Sequence, residues 1–167
     1  MKKGAVGKFI NKVDWRTLFL SLVTVFSTGL LGSLFVSRGV KSFWYMTVRP
    51  SITPPNWVFT LVWVILFILI SISLYFCLTC ARNRKTCLRV EFLFAINLLL
   101  NFLWSFFYFW LRKPLFAFFD LIALWISIVA IIYYSWNINR KAALLLIPYL
   151  LWVTFAGLLN YLSILKS

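Results

Sequence analysis

The chain predicts an all-α membrane protein, a bundle of five transmembrane helices, on three observations. Hydrophobic residues make up 63% of the sequence and charged residues only 12%, too little polar surface for a soluble domain of this length. Mean hydropathy is +0.96. Apolar stretches recur at about residues 17–38, 55–80, 88–111, 115–136 and 142–165, each meeting the roughly 20 residues that ~30 Å of hydrocarbon demands. Connections are as short as Arg112 to Pro114, so consecutive spans must run antiparallel as a single domain over residues 1–167.

The first span follows a basic, acid-poor leader. No small-residue cleavage pattern separates it from the rest, so it is expected to stay as a helix and not to be removed as a signal peptide. Between it and the second span lies Phe43–Trp63, where Pro50, Pro54 and Pro55 fix φ and withhold backbone donors. That spacing predicts a stiff, non-helical approach that ends as Pro55 enters the first turn of the next helix. Trp44, Trp57 and Trp63 bracket it with rings suited to a membrane interface or a ligand wall.

The second, third and fifth spans each carry a polar and aromatic stripe. At ~100° per residue, Asn56, Thr60, Trp63, Phe67 and Ser71 share one face, as do Asn97, Asn101, Trp104, Ser105 and Tyr108. Tyr149, Trp152, Ala156, Asn160 and Ser163 form the third such face. Polar groups are costly in lipid, so these faces turn inward. Taken singly, such residues serve interhelical hydrogen bonding and close packing. Three stripes together point to a shared aromatic cavity, suited to a flat hydrophobic ligand with polar edges.

The fourth span holds Asp120, for which pairing with Arg112, Lys113 or a neighbouring tyrosine is the expected arrangement. Glu91 reads as an ordinary carboxylate near Arg89 at a helix start.

The net charge of +14 does not indicate a nucleic-acid partner, because the cations cluster at span ends. Lys2, Lys3, Lys8, Lys12, Arg16, Arg82, Arg84, Lys85, Arg89, Arg140 and Lys141 fall on the amino-terminal side. Arg38, Lys41, Arg49, Arg112, Lys113 and Lys166 fall on the other. The excess predicts a cytoplasmic amino terminus and an outer carboxyl terminus, with the lysine-rich leader anchored to anionic lipid. The host membrane is that of a bacterial cell or an organelle.

Cys77 and Cys80 form a CxxC, and Cys87 follows. No second CxxC and no histidine completes a tetrahedral metal site, so these cysteines read as packing residues and no metal is expected. The lack of histidine also removes the usual general base and the commonest haem ligand. No catalytic residue set is evident and no cofactor is required.

Several motifs now line up in order. They are Phe43-Trp44-Tyr45, Arg49-Pro50, Pro54-Pro55-Asn56-Trp57-Val58-Phe59 with Trp63, then Asn97, Asn101-Phe102-Leu103-Trp104-Ser105, then Asp120, and finally Pro148-Tyr149-Leu150-Leu151-Trp152 through Ala156 to Asn160-Tyr161. Nearly the whole chain resembles the TspO/MBR family, the translocator or tryptophan-rich sensory proteins. The resemblance implies a five-helix bundle, often a homodimer, whose pocket opens toward a lid formed by the first loop. It implies binding of a tetrapyrrole such as protoporphyrin IX, and of sterols in several members. Carried over position by position, the ligand wall comprises Tyr45, Trp63, Phe67, Asn101, Trp104, Trp152 and Ala156, to which the third-span stripe adds Asn97 and Ser105 as candidate ligand contacts. The lid comprises Trp44, Arg49, Pro50, Pro54 and Pro55. Any porphyrin would be held without imidazole on its iron.

The leading reading is a membrane carrier, translocator or sensor of tetrapyrroles, with Asn and Trp donors orienting the ligand. The rivals are a protein that degrades protoporphyrin in light through Trp63 and Trp152, and a scaffold acting through partner proteins and lipids. Two positions depart from the family pattern: Arg49 replaces a usual lysine, and Ile164 stands where many members have tryptophan. Leu159, Tyr161 and Lys166 fit a loose sterol-contact pattern that also occurs by chance at helix ends.

Overall fold

The fold is that of a computed structural model, described for residues 13–167; Lys2, Lys3, Lys8 and Lys12 lie outside the described residues. The described residues form seven α-helices, α1 (Trp15–Gly39), α2 (Phe43–Val48), α3 (Asn56–Cys80), α4 (Arg84–Ser105), α5 (Pro114–Trp136), α6 (Arg140–Leu145) and α7 (Ile147–Ile164), of which all but the short loop helix α2 contribute to five spans. A π-helical turn, Phe106–Trp110, extends α4. Five of the resulting segments are long and apolar enough to cross a membrane, α6 and α7 counting together.

Local chemistry sets each boundary. Asp14 caps α1, its carboxylate accepting from the backbone N–H of Arg16 and Thr17 and from the Thr17 hydroxyl. That set of donors, the Thr17 hydroxyl foremost, holds the Asp14 carboxyl below the ordinary aspartate range. Ser42 caps α2 through the Tyr45 N–H, so the stretch before Pro50 is helical and only the segment from Arg49 to Pro55 is extended or turn-like. Pro50 ends α2 by forcing Arg49 out of the helical region.

Pro55 sits one residue outside α3, as its N-cap. α4 begins at Arg84, four residues before the apolar run suggested, because Asn83 caps the Thr86 N–H at 2.8 Å. Hydropathy reads polar Arg84 and Lys85 as loop, whereas long cations at a helix end place their heads in the headgroups. Glu91 meets Arg84 at 3.8 Å, not Arg89 as expected, since residues seven apart return to the same helix face and residues two apart do not.

The lid-side end of the third span is underwound. Leu111 N–H donates to the Phe106 carbonyl and Lys113 N–H to the Phe107 carbonyl, each at 3.0 Å, and Arg112 then turns the chain with φ 55°. The fifth span is not the continuous helix expected over 142–165. It breaks at Leu146, where Pro148 enters the first turn of α7 without an N–H to continue the α6 ladder.

The spans close into a ring: α1 packs on α3 and α4, α4 on α5, α5 on α7, and α6 on α3. Away from the first loop the interior is filled by residues such as Ile70, Val90, Ile128, Leu146 and Val153. At that end Ser73 donates to the Ala142 carbonyl at 2.8 Å, locking α6 against α3. Cys77 is fully buried there and donates to Ser135, while Cys80 accepts from Asn139, so the CxxC is used in packing and capping. Among the described residues no group of three His, Cys, Asp or Glu gathers. Toward the first loop the ring does not fill.

Candidate functional site: an aromatic cavity under the first loop

The unfilled half of the bundle is a cavity of about 450 Å³, within the range of small-molecule sites. Its walls are α1, α3, the end of α4 with the π turn, and α7, and the first loop covers it. Trp63 leans on Phe67 with centroids 5.4 Å apart. Opposite them Trp104 stacks on Tyr108 at 5.5 Å and 19°, and Phe109 stands on edge to Trp104 at 5.9 Å. The π turn supports Tyr108 in that stack, and the Tyr108 hydroxyl lies 2.7 Å from that of Ser163. Ser163 itself donates to the Leu159 carbonyl, which leaves Tyr108 as the donor of the shared bond.

A hydrogen-bonded layer supports the floor. Asn101 donates to the Tyr149 hydroxyl at 3.1 Å, Tyr149 donates to Asn97 Oδ1 at 3.3 Å, and Asn97 donates to Ser127 at 2.8 Å. On one wall Trp104 donates to Asn160 Oδ1 at 3.1 Å, and Asn160 donates to the Pro114 carbonyl at 2.8 Å. The Trp104 indole donor and one of the two Asn101 amide hydrogens are therefore spent inside the protein. Among the described residues the side chains of Tyr45, Thr53, Asn56, Trp63 and Ser105 line the cavity without a side-chain hydrogen-bond partner and are left to meet a guest.

The sequence-derived wall is largely gathered in one place. Tyr45, Trp63, Phe67, Asn101, Trp104, Ser105 and Ala156 all line the cavity. Asn97 and Trp152 do not. Asn97 is 1% exposed, one turn beneath the floor, and Trp152 lies behind Phe59, whose ring is 5.2 Å away. The Trp152 indole N–H is buried without a partner among the described residues.

Of the loop residues, Pro50 touches the cavity, while Trp44 packs edge-on against Tyr108 at 5.6 Å. Arg49 donates to the carbonyls of Thr53 and Pro54 at 3.2 and 3.3 Å and lies 6.0 Å from the Tyr45 ring. It clasps the loop on itself. Burial raises the Tyr45 phenol above its ordinary range, with the Arg49 cation opposing the shift. Lys166 then donates to the Arg49 carbonyl at 3.2 Å, tying the carboxyl end of α7 to the loop.

The loose sterol pattern is split by this geometry. Leu159 lines the cavity, Tyr161 is half exposed against Phe118, and Lys166 holds the loop. Asp120 departs from expectation. It is 9% exposed, Oδ2 has no hydrogen-bond partner, and neither Arg112 nor Lys113 pairs with it among the described residues. Six residues beyond Pro114 place it roughly 9 Å along α5 from that loop, and the long cations there are exposed toward the headgroups.

Sequence reasoning missed the α1 wall altogether. Gly29, Gly32, Ser33 and Val36 share a helix face at ~100° per residue, a small-residue stripe that was the available signal. A Cβ on Gly29 would collide with the Phe67 ring, so the glycine fixes how closely α1 and α3 approach. Beyond that contact the two helices leave a lateral mouth, since Leu30, Ser33 and Ser37 on α1 and Thr60 and Val64 on α3 are both cavity-lining and exposed.

Comparison with known proteins agrees with this geometry. The TspO/MBR family profile matches residues 20–165. The tryptophan-rich protein TspO of Archaeoglobus fulgidus is 39% identical over 144 residues, covering 86% of this chain and 92% of its own. That of Chlorobaculum tepidum is 37% identical, covering 87% and 92%. The translocator protein of Ovis aries is 32% identical, covering 80% and 79%. With the profile matched from α1 to the end of α7 and relatives of this identity and coverage, the chain is a multi-pass membrane protein that belongs to the TspO/MBR family.

Proposed function

We propose that the chain binds a flat, membrane-partitioned tetrapyrrole, with protoporphyrin IX as the representative ligand, and acts as its carrier or sensor. The observation that carries this reading is the shape of the cavity. Aromatic faces on α3 and α4 flank a mostly apolar space, and its side mouth opens between the spanning helices α1 and α3. A planar macrocycle gains apolar burial between such faces, and its propionates reach the loop end, where Arg49 and Lys166 stand. A ligand dissolved in the bilayer would reach this mouth without crossing the loop. A sterol fits the same lateral mouth less well, since it offers no π face to Trp63 and Trp104. Orientation follows the cations, with the loop on the outer face and the Lys141 end cytoplasmic.

The test is spectroscopic. Purified protein titrated with protoporphyrin IX is expected to show saturable quenching of tryptophan emission, and the absence of saturable quenching overturns the reading. Illuminating the same sample separates binding from photodegradation, since a stable porphyrin band supports a carrier or sensor and a bleached one supports light-driven breakdown at Trp63.

A further inference from the structure

The break between α6 and α7 creates a second concavity, at the opposite end of the bundle from the aromatic cavity. α6 is drawn against α3 by Ala142 and Ala143, both fully buried, and by the Ser73 bond to the Ala142 carbonyl. α7 starts afresh at Ile147, and Pro148 cannot extend the ladder. Between the two lies an open apolar groove of about 410 Å³. Leu69, Ile72 and Phe76 of α3 form one wall and Leu144, Leu145 and Pro148 the other. The one charged lining residue is Lys141.

Dimensions and charge together identify an occupant. From Lys141 to Pro148, and from Phe76 back to Leu69, the groove follows about 10 Å of helix, most of one ~15 Å leaflet. Lys141 sits at the first turn of α6, at the helix end that meets the headgroups, and its ammonium makes no hydrogen bond or ion pair among the described residues. The carboxylates at this end are already engaged: Asp14 caps α1, and Glu91 faces Arg84. Neighbouring Arg140 lies over the Trp136 ring at 5.7 Å, which leaves Lys141 as the cation on the groove. An apolar slot of leaflet depth ending at an unpaired ammonium is complementary to one acyl chain and a negatively charged headgroup.

We propose that this groove is a binding site for an anionic phospholipid, whose acyl chain lies between α3 and α6–α7 and whose phosphate meets Lys141. It is separate from the tetrapyrrole cavity and does not depend on it. The site also explains why a break is tolerated in a lipid-exposed span, since the lipid chain fills the volume that the interrupted helix leaves.

The experiment places the protein in phosphatidylcholine nanodiscs doped with phosphatidylglycerol and counts, by native mass spectrometry, the lipids retained on release. The wild type is expected to enrich phosphatidylglycerol over phosphatidylcholine. Lys141→Gln is expected to lower that enrichment by about fivefold, the weight of one cation near a membrane surface. Lys85→Gln, on the same face but away from the groove, should leave it nearly unchanged. Leu145→Trp and, separately, Ile72→Trp fill the groove and should abolish retention while circular dichroism shows the helices intact; two plugs guard against one failing to fold. Equal losses for Lys141→Gln and Lys85→Gln would show diffuse attraction and overturn the proposal. So would unchanged retention in a folded plug variant, or a co-isolated polypeptide in place of lipid.

Discussion

Tyr149→Phe removes one oxygen from the centre of the floor network and hardly changes side-chain volume. Tyr149 is 1% exposed, and its hydroxyl accepts from Asn101 on the same turn of the bundle where it donates to Asn97. Hydrogen bonds between membrane helices contribute about 0.6 kcal/mol on average and up to about 1.7, so losing both should cost roughly 1 to 3 kcal/mol. The lower half of that range is expected. Asn101 borders the cavity and its amide can turn into it, whereas Asn97 keeps its bond to Ser127 and loses only the donor to Oδ1. Reversible unfolding in mixed micelles, combined with a double-mutant cycle to Asn97→Ala, measures the effect. Coupling above about 0.5 kcal/mol is expected between contacting partners. A Tyr149→Phe protein as stable as the wild type, or additive with Asn97→Ala, would refute the claim that this hydroxyl joins α4 to α7.

Three further outcomes follow from the same geometry. Lys166→Gln removes the tie from α7 to the loop and should speed ligand release by roughly two- to fivefold in stopped-flow measurement, the scale of an exposed charged contact. Arg49→Ala, which also undoes the loop's own clasp on Thr53 and Pro54, should act more strongly. Trp63→Phe should slow any light-driven bleaching of bound porphyrin, and Trp152→Phe should not, because Phe59 stands on one face of Trp152 and the residue does not line the cavity. Bleaching rates that respond to Trp152 and not to Trp63 would contradict that placement. The Asp14 carboxyl is held low in the folded protein, so its stabilising cap is present at neutral pH and is lost as pH falls through the folded-state value. An NMR titration should find it below an unfolded reference peptide, and Thr17→Val should move it back up.

The five spans and most of the cavity were legible because membrane helices announce themselves twice. Length and hydropathy mark the span, and the 3.6-residue period marks the face that carries Asn101, Trp104 and Ser105 or Trp63 and Phe67. What escaped has physical reasons. The π turn after Ser105 and the break at Leu146 alter hydrogen-bond register without altering composition, and hydropathy does not register either. Trp152 shares a helix face with Ala156, yet the ring size of Phe59 decides which of the two meets the cavity. The α1 wall is built from Gly29, Gly32 and Ser33, residues whose contribution is the space they leave. Asp120 illustrates the converse: pairing was inferred from nearness in sequence to Arg112 and Lys113, but depth along the helix separates them.

The central claim, that the aromatic cavity holds the ligand, is tested most directly by binding isotherms for protoporphyrin IX in nanodiscs, comparing the wild type with Ala156→Phe. Ala156 lines the cavity and is 6% exposed, so a phenyl ring there occupies the space between the aromatic walls. One saturable site per chain is expected for the wild type. For a folded Ala156→Phe protein the affinity should fall by about tenfold or more, the scale of overpacking a fitted site. Superimposable isotherms from two folded proteins would place the porphyrin elsewhere and contradict the account.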